Sequence, residues 1–167
     1  LSEEQAKELL QKFKETKQKA EDLANKAKNS VENAKQLINP NGNFFLPSKK
    51  LIQKTKASFQ GNNHSQVCHL LNNALEAARS SKENAENATE IALLLSEYLK
   101  IKTENAHVEL DQAHAKSDVT RRLQSFYEFS KMNSLQRDIA ATNKISTEAQ
   151  ELFELIQDFQ QLISQSQ

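Results

Sequence analysis

The chain has 167 residues, with 22 Lys and Arg against 22 Asp and Glu, and a formal net charge of zero. Only 37% of the residues are hydrophobic and 6% are aromatic, so we expect a core that is either thin and elongated or rich in small side chains. Gly and Pro contribute two residues each, whereas hairpins, bulges and phosphate-binding loops depend on these residues. The composition therefore argues against β-sandwiches, barrels and Rossmann-type folds, and the neutral balance argues against a general nucleic-acid binder.

The first predicted helix covers residues 2–38. Ser2 and Gln5 form a capping-box pattern at its start, and the sequence Asn-Pro-Asn-Gly at 39–42 ends it. Between these signals a small or apolar residue recurs every seven positions, at Ala6, Phe13, Ala20, Ala27 and Ala34. A helix of about 36 residues needs partners that bury such a stripe, because isolated helices gain little stability from propensity alone.

The segment 39–48 is the most loop-like part of the chain, and a short second helix is predicted over residues 48–60. Three large apolar residues lie in the loop, and the charges of the short helix are all positive. The apolar side chains either close the end of the bundle, which we favour, or project outward as a membrane-interface element or a docking knob. The candidate partner- or membrane-contact residues are therefore Phe44, Phe45, Leu46, Lys49, Lys50, Lys54 and Lys56.

Two further long helices are predicted over residues 64–116 and 118–164, because no Gly or Pro occurs after position 61. The best candidate for a turn lies at 116–118, where polar N-capping residues coincide with a shift in the phase of the apolar repeat. The first of these helices carries small or apolar residues at steps of three and four: Val67, Leu71, Ala74, Ala78, Ser81, Ala85, Ala88, Ala92, Leu95 and Leu99. The second carries a bulkier set: Val119, Leu123, Phe126, Phe129, Met132, Leu135, Ile139, Ile145, Ala149, Phe153, Ile156, Phe159 and Ile163. Polar residues at 142–147 could mark a kink or a break in it.

These patterns predict an all-α fold, an elongated antiparallel bundle of three long helices and one short helix in a single domain, 1–167. Alanine at a heptad position lets two helix backbones approach closely, so we expect coiled-coil-like, Ala-rich seams. The alternative is that alanine is present only because it is the best helix former. A sustained seven-residue step favours small crossing angles and a left-handed supercoil.

Residues with ligand-type side chains are few and poorly matched to a metal site. His64 and Cys68 share a helix face and could supply two zinc ligands, but no second pair at matching spacing exists. Glu104 and His107 form one Glu-x-x-His spacing, whereas a di-metal bundle requires two. Cys68 lies near a helix start, where thiolates are favoured, but no Gly-rich oxyanion turn accompanies it. We therefore predict no metal, no cofactor and no enzymatic activity.

The leading functional prediction is a non-enzymatic interaction protein that binds another protein. Elongated helical bundles of Lys-, Asn- and Gln-rich composition occur among surface antigens and lipoproteins, so we expect a surface-exposed or secreted antigen or adhesin-type module. A chain that opens on a polar helix cap is compatible with a trimmed ectodomain. Nucleic-acid binding is not expected, because the aromatic residues beside Arg121 and Arg122 fall on the core stripe.

Two alternatives come from other functional classes. The first is an intracellular, cytoplasmic coiled-coil scaffold that forms a homodimer through the seam at 67–113. The second is an amphipathic bundle that opens on a membrane surface, led by Phe44, Phe45 and Leu46.

Overall fold

A computed structural model describes residues 1–38, 62–116 and 119–165. Three long helices make up almost all of them: α1 (Glu3–Ile38), α2 (Asn62–Lys116) and α3 (Val119–Gln165). Within these ranges no residue belongs to a β-strand. The predicted all-α class and its three long helices are confirmed, whereas the predicted short helix at 48–60 lies outside the described residues.

The start of α1 is fixed by a reciprocal capping box. The backbone N–H of Gln5 donates to Ser2 Oγ at 3.1 Å, and the backbone N–H of Ser2 donates to Gln5 Oε1 at 2.9 Å. Glu3 and Glu4 lie in the first turn and Lys35 lies in the last turn. These charges interact favourably with the helix dipole, which is positive at the start and negative at the end. Local side-chain chemistry therefore begins this helix where the capping pattern predicts.

The polar stretch at 142–147 does not end α3, which continues as one helix from Val119 to Gln165. Thr142 is fully buried, and its hydroxyl donates to the carbonyl oxygen of Ile139 at 2.8 Å. The same hydroxyl lies 2.9 Å from the hydroxyl of Thr89 on α2. Because these contacts satisfy the hydroxyl locally, a polar residue is tolerated inside the helix without a break.

The chain divides into two compact units. Unit 1 comprises Leu1–Gln18 and Ala85–Lys144, and unit 2 comprises Lys19–Asn84 and Ile145–Gln167. Each unit includes part of all three helices and has its own hydrophobic core.

The core of unit 1 is built around Phe13 of α1, which is only 1% exposed. Residues of all three helices complete it: Ala6, Ala88, Ala92, Leu95 and Leu135 are buried, with Leu9, Ile91, Tyr98, Leu99 and Ile139 packed against them. At the edge of this core, Lys17 Nζ lies 3.5 Å from Asp138 Oδ1. This core therefore combines one buried aromatic ring with both small and large aliphatic side chains.

The core of unit 2 has more buried members, and five of them are alanines. Its buried members are Ala27, Val31, Ala34, Ile38, Val67, Leu71, Ala74, Ala77, Ala78, Ile156, Phe159 and Ile163. Ser81 of α2 is also fully buried, and its hydroxyl donates to the carbonyl oxygen of Ala20 on α1 at 2.7 Å. A side chain as short as serine reaches the backbone of another helix only when the two helices approach closely.

The alanines of the seven-residue steps are buried in both units. They are Ala6, Ala20, Ala27 and Ala34 of α1 and Ala78, Ala85, Ala92 and Ala106 of α2. Their burial agrees with close packing along these positions rather than with alanine serving only as a helix former.

Candidate functional site

The seven predicted contact residues lie outside the described residues. They are Phe44, Phe45, Leu46, Lys49, Lys50, Lys54 and Lys56. Their role at a membrane or a partner stays a prediction, and a site supported by geometry must come from the three helices.

Exposed apolar side chains are concentrated in unit 1. Nine large hydrophobic residues are exposed within the described ranges, and all nine belong to this unit: Leu1, Leu10, Leu93, Leu94, Ile101, Val108, Val119, Leu123 and Tyr127. Single exposed apolar residues are ordinary, but neighbouring ones on one helix face are typical of an interaction surface.

Three of the exposed hydrophobic residues repeat at a regular spacing on α2. Leu94, Ile101 and Val108 follow one another at steps of seven and are 57%, 61% and 57% exposed. At about 100° of rotation per residue, the three side chains fall within about 40° of one another. The buried residues Ala92 and Leu95 lie on the other side of the helix, about 150° away on average. The three aliphatic side chains therefore point away from the core of unit 1.

Carboxylates alternate with these aliphatic side chains. Glu90, Glu97, Glu104 and Asp111 are all exposed and follow their own step of seven. Together the two sets give a strict spacing of four, three, four, three, four and three residues, which keeps all seven on one helix face. We name this surface the acidic-apolar face of α2: Glu90, Leu94, Glu97, Ile101, Glu104, Val108 and Asp111.

A groove lies between the three helices of unit 1. It has a volume of about 270 Å³, and its lining is Glu3, Ala6, Lys7, Leu10, Leu95, Tyr98, Leu99, Lys102, Tyr127, Lys131 and Leu135. Lys131 Nζ lies 4.3 Å from the centroid of the Tyr127 ring, and Lys102 Nζ lies 5.3 Å from that of Tyr98. These cation–π contacts place positive charge at the rim of an apolar groove. The groove and the acidic-apolar face therefore differ in the sign of their charge.

His64 and Cys68 do come together, as their spacing predicts. Cys68 Sγ lies 3.9 Å from His64 Nε2, and both residues line a shallow cavity of about 340 Å³ in unit 2. This separation lies within the longer range over which sulfur makes weak hydrogen bonds, so the thiol and the imidazole are in contact. Within the described part of the chain, no three His, Cys, Asp or Glu side chains converge as a metal site would require.

His107 is placed by an aromatic contact. Its ring centroid lies 4.7 Å from that of Phe129 on α3, with the two rings tilted by 52°. Glu104, one turn earlier, is exposed on the acidic-apolar face. The histidine of the Glu-x-x-His spacing thus has an aromatic neighbour on α3, and its carboxylate is exposed.

The acidic-apolar face lies outside the predicted apolar stripes, although its spacing is present in the sequence. The spacing of Leu94, Ile101 and Val108 repeats every seven residues, as does the row of alanines on the other side of the helix that includes Ala92 and Ala106. In addition, Val119 and Leu123 belong to the predicted apolar stripe of α3 but are exposed, the latter by 65%. A repeat shows that residues share a face, but not whether that face is covered.

No described helix combines the length and the apolar character that crossing a bilayer requires. The chain matches no protein-family model, and no curated protein or solved structure is significantly similar to it. Its function must therefore be inferred from its own surfaces.

Proposed function

We propose that this chain is a non-enzymatic interaction protein that binds another protein through the acidic-apolar face of α2. The observation that carries the proposal is the regular exposure of Leu94, Ile101 and Val108. Full burial of an exposed aliphatic side chain is worth about 1.5–3 kcal/mol, and each of these three has more than half of its surface left to bury. A protein partner that covers all three would gain enough from burial to offset part of the cost of association.

The proposal includes the finer architecture, an elongated antiparallel bundle with Ala-rich seams. In unit 2, Lys82 Nζ donates to Gln150 Oε1 at 2.8 Å, and Gln160 Nε2 donates to Asn72 Oδ1 at 2.8 Å. The second contact therefore lies ten residues earlier in α2, at Asn72, and ten residues later in α3, at Gln160. These paired steps support an antiparallel arrangement of the two helices.

A coiled-coil scaffold that dimerises through residues 67–113 is the first alternative. The seam residues Leu71, Ala78 and Ala92 are already buried in the chain. A dimer through them would require α2 to release its own contacts, whereas the acidic-apolar face is exposed without any rearrangement. This difference favours a protein partner on the outer face.

A lipid-binding bundle is the second alternative. The exposed aliphatic residues of α2 alternate with carboxylates, which the negative surface of an anionic membrane repels. Phe44, Phe45 and Leu46 could still contact a membrane, and loss of liposome binding on their replacement by Ser would support that role. A surface-exposed or secreted setting is part of the proposal on compositional grounds, with a cytoplasmic setting as its alternative.

A display library of protein fragments from the source organism tests the proposed function. We expect fragments that bind the full chain and lose binding when Ile101 is replaced by Ser. Leu123→Ser is the matched control, because Leu123 is an equally exposed aliphatic residue of the same unit on another helix. Binders that respond equally to both replacements, or the absence of any Ile101-dependent binder, would contradict the proposal. Circular dichroism of each variant checks that the helices persist.

A further inference from the structure

We infer that the partner of the acidic-apolar face is a basic amphipathic helix, in which aliphatic residues alternate with Lys or Arg at steps of three and four. This inference rests on the proposed function and names the chemical class of its partner. Three properties of the face carry it: its length, its repeat and its charge.

The length and repeat of the face match a helix better than they match a loop or a small molecule. From Glu90 to Asp111 the face covers 21 steps, or about 32 Å at 1.5 Å per residue. Its spacing averages 3.5 residues, the repeat that keeps two helices in contact when they cross at a small angle. A partner helix of about 20 residues would therefore contact Leu94, Ile101 and Val108 in succession.

The negative charge of the face favours a partner that carries positive charge. Four exposed carboxylates flank the three aliphatic side chains, and Lys100 is an exposed basic residue of the same helix beside them. Carboxylates covered by an apolar or an acidic partner would lose their hydration without a compensating charge, which is costly. Lys or Arg side chains on the partner would instead pair with them and raise the rate of encounter.

The same charges disfavour a second copy of the chain through this face. In a parallel pair of α2 helices, Glu97 would face Glu97 of the other copy. In an antiparallel pair, the alternation would set aliphatic residues such as Ile101 against carboxylates. Like charges and unpaired buried charges both destabilise such contacts. A second copy could instead bind head to tail, with its unit 1 groove against this face. Sedimentation velocity tests this arrangement.

A synthetic helical peptide of 21 residues, with Leu and Lys alternating at steps of three and four, is the probe. Two control peptides have the same length: one scrambles the Leu and Lys positions, and one replaces each Lys with Glu. Fluorescence anisotropy with the full chain should detect binding of the basic peptide that weakens as salt increases. The scrambled and acidic peptides should bind at least about tenfold more weakly, since each tenfold corresponds to about 1.4 kcal/mol.

Variants of the chain locate the binding. Ile101→Ser should weaken binding of the basic peptide by roughly tenfold or more, because burial of one aliphatic side chain is lost. The double variant Glu97→Gln with Glu104→Gln should flatten the salt dependence, and Leu123→Ser should leave binding unchanged. Each variant must retain the circular dichroism spectrum of the parent, so that loss of binding is not loss of fold.

The outcomes separate this inference from the proposed function. Equal binding of the basic and acidic peptides, or binding that ignores Ile101 and the two glutamates, would overturn the inference. If displayed fragments depend on Ile101 but lack basic residues, the partner class is wrong and the proposed function stands. If sedimentation velocity shows a dimer that Ile101→Ser converts to a monomer, a second copy covers the acidic-apolar face and the inference fails.

Discussion

The hydroxyl of Ser81 donates a hydrogen bond of 2.7 Å to the carbonyl oxygen of Ala20, and both residues are fully buried. This contact joins a side chain of α2 to the backbone of α1 within unit 2. It explains why small residues occupy the seven-residue steps, because a larger side chain at either position would separate the helices. Stability in this unit depends on close backbone approach as well as on the burial of large side chains.

Replacement of Ser81 tests that close approach. Ser81→Leu should lower the free energy of unfolding by about 1–3 kcal/mol, because it inserts extra volume between packed helices. Ser81→Ala should cost only about 0.5–1.5 kcal/mol, the usual net value of one hydrogen bond. Urea denaturation followed by circular dichroism measures both values. Ser134→Leu is the control on an exposed position of α3, and equal stability of Ser81→Leu and the parent would contradict the packing.

Ala92 provides the corresponding test in unit 1, where it is fully buried. Ala92→Leu should destabilise the fold by about 1–3 kcal/mol through overpacking. Ala140→Leu, at an exposed position of α3 in the same unit, should change the stability by less than about 0.5 kcal/mol. Thermal and urea unfolding of the two variants can be compared directly. A tolerated Leu at position 92 would mean that the alanine is there only for helix propensity.

Phe13 is the largest fully buried side chain of unit 1, and it belongs to the hydrophobic core of that unit. Phe13→Ala should therefore cost about 3–5 kcal/mol, since the lost burial is accompanied by a cavity. Phe13→Leu keeps most of the volume and should cost markedly less. Equilibrium unfolding in urea gives both differences, and a loss below about 1 kcal/mol for Phe13→Ala would place the ring outside the core.

The pair Glu76 and Arg79 predicts a small dependence of stability on pH. A hydrogen bond from Arg79, aided by its positive charge, lowers the pKa of the Glu76 carboxyl, and partial desolvation opposes this effect. A carboxyl with a lowered pKa stabilises the fold above its unfolded pKa, and this contribution is lost as the pH falls through the folded pKa. Both side chains are mostly exposed, so the contribution is small.

Arg79→Gln tests whether Arg79 lowers the pKa of Glu76. The pKa of Glu76, measured by NMR titration of its side-chain carboxyl, should rise towards the ordinary value for glutamate. The control is Lys14→Gln, an exposed basic residue of α1, which should leave the Glu76 titration unchanged. An unchanged Glu76 titration in Arg79→Gln would contradict the ion pair.

Much of the fold is predictable from the sequence, because local signals determine it. The reciprocal hydrogen bonds of Ser2 and Gln5 are the capping box that the sequence indicates. The seven-residue step of the alanines likewise predicts that they share one helix face, and the near absence of Gly and Pro predicts long helices. Each of these signals depends only on residues close together in the chain.

The candidate site is less predictable, because exposure depends on which surfaces other helices cover. Leu93, Leu94 and Leu95 are adjacent and equally apolar, yet only Leu95 is buried. Hydrophobicity cannot distinguish them, whereas packing against α1 and α3 selects one. For the same reason, Val119 fits the predicted stripe of α3 but is exposed. The predicted contacts from Phe44 to Lys56 lie outside the described residues and stay predictions.

Thiol accessibility in the native protein tests the central claim most directly: the outer side of α2 is open to a partner, and its inner side is closed. Cys68 is the single cysteine, so Ile101→Cys and Ala92→Cys can each be made in a Cys68→Ser background. At low micromolar concentration, a soluble aromatic disulfide should label Cys at position 101 nearly as fast as in the unfolded chain, whereas Cys at position 92 should react only after denaturant is added. Protection at position 101 comparable to that at position 92 would mean that the face is already covered, and would contradict the account.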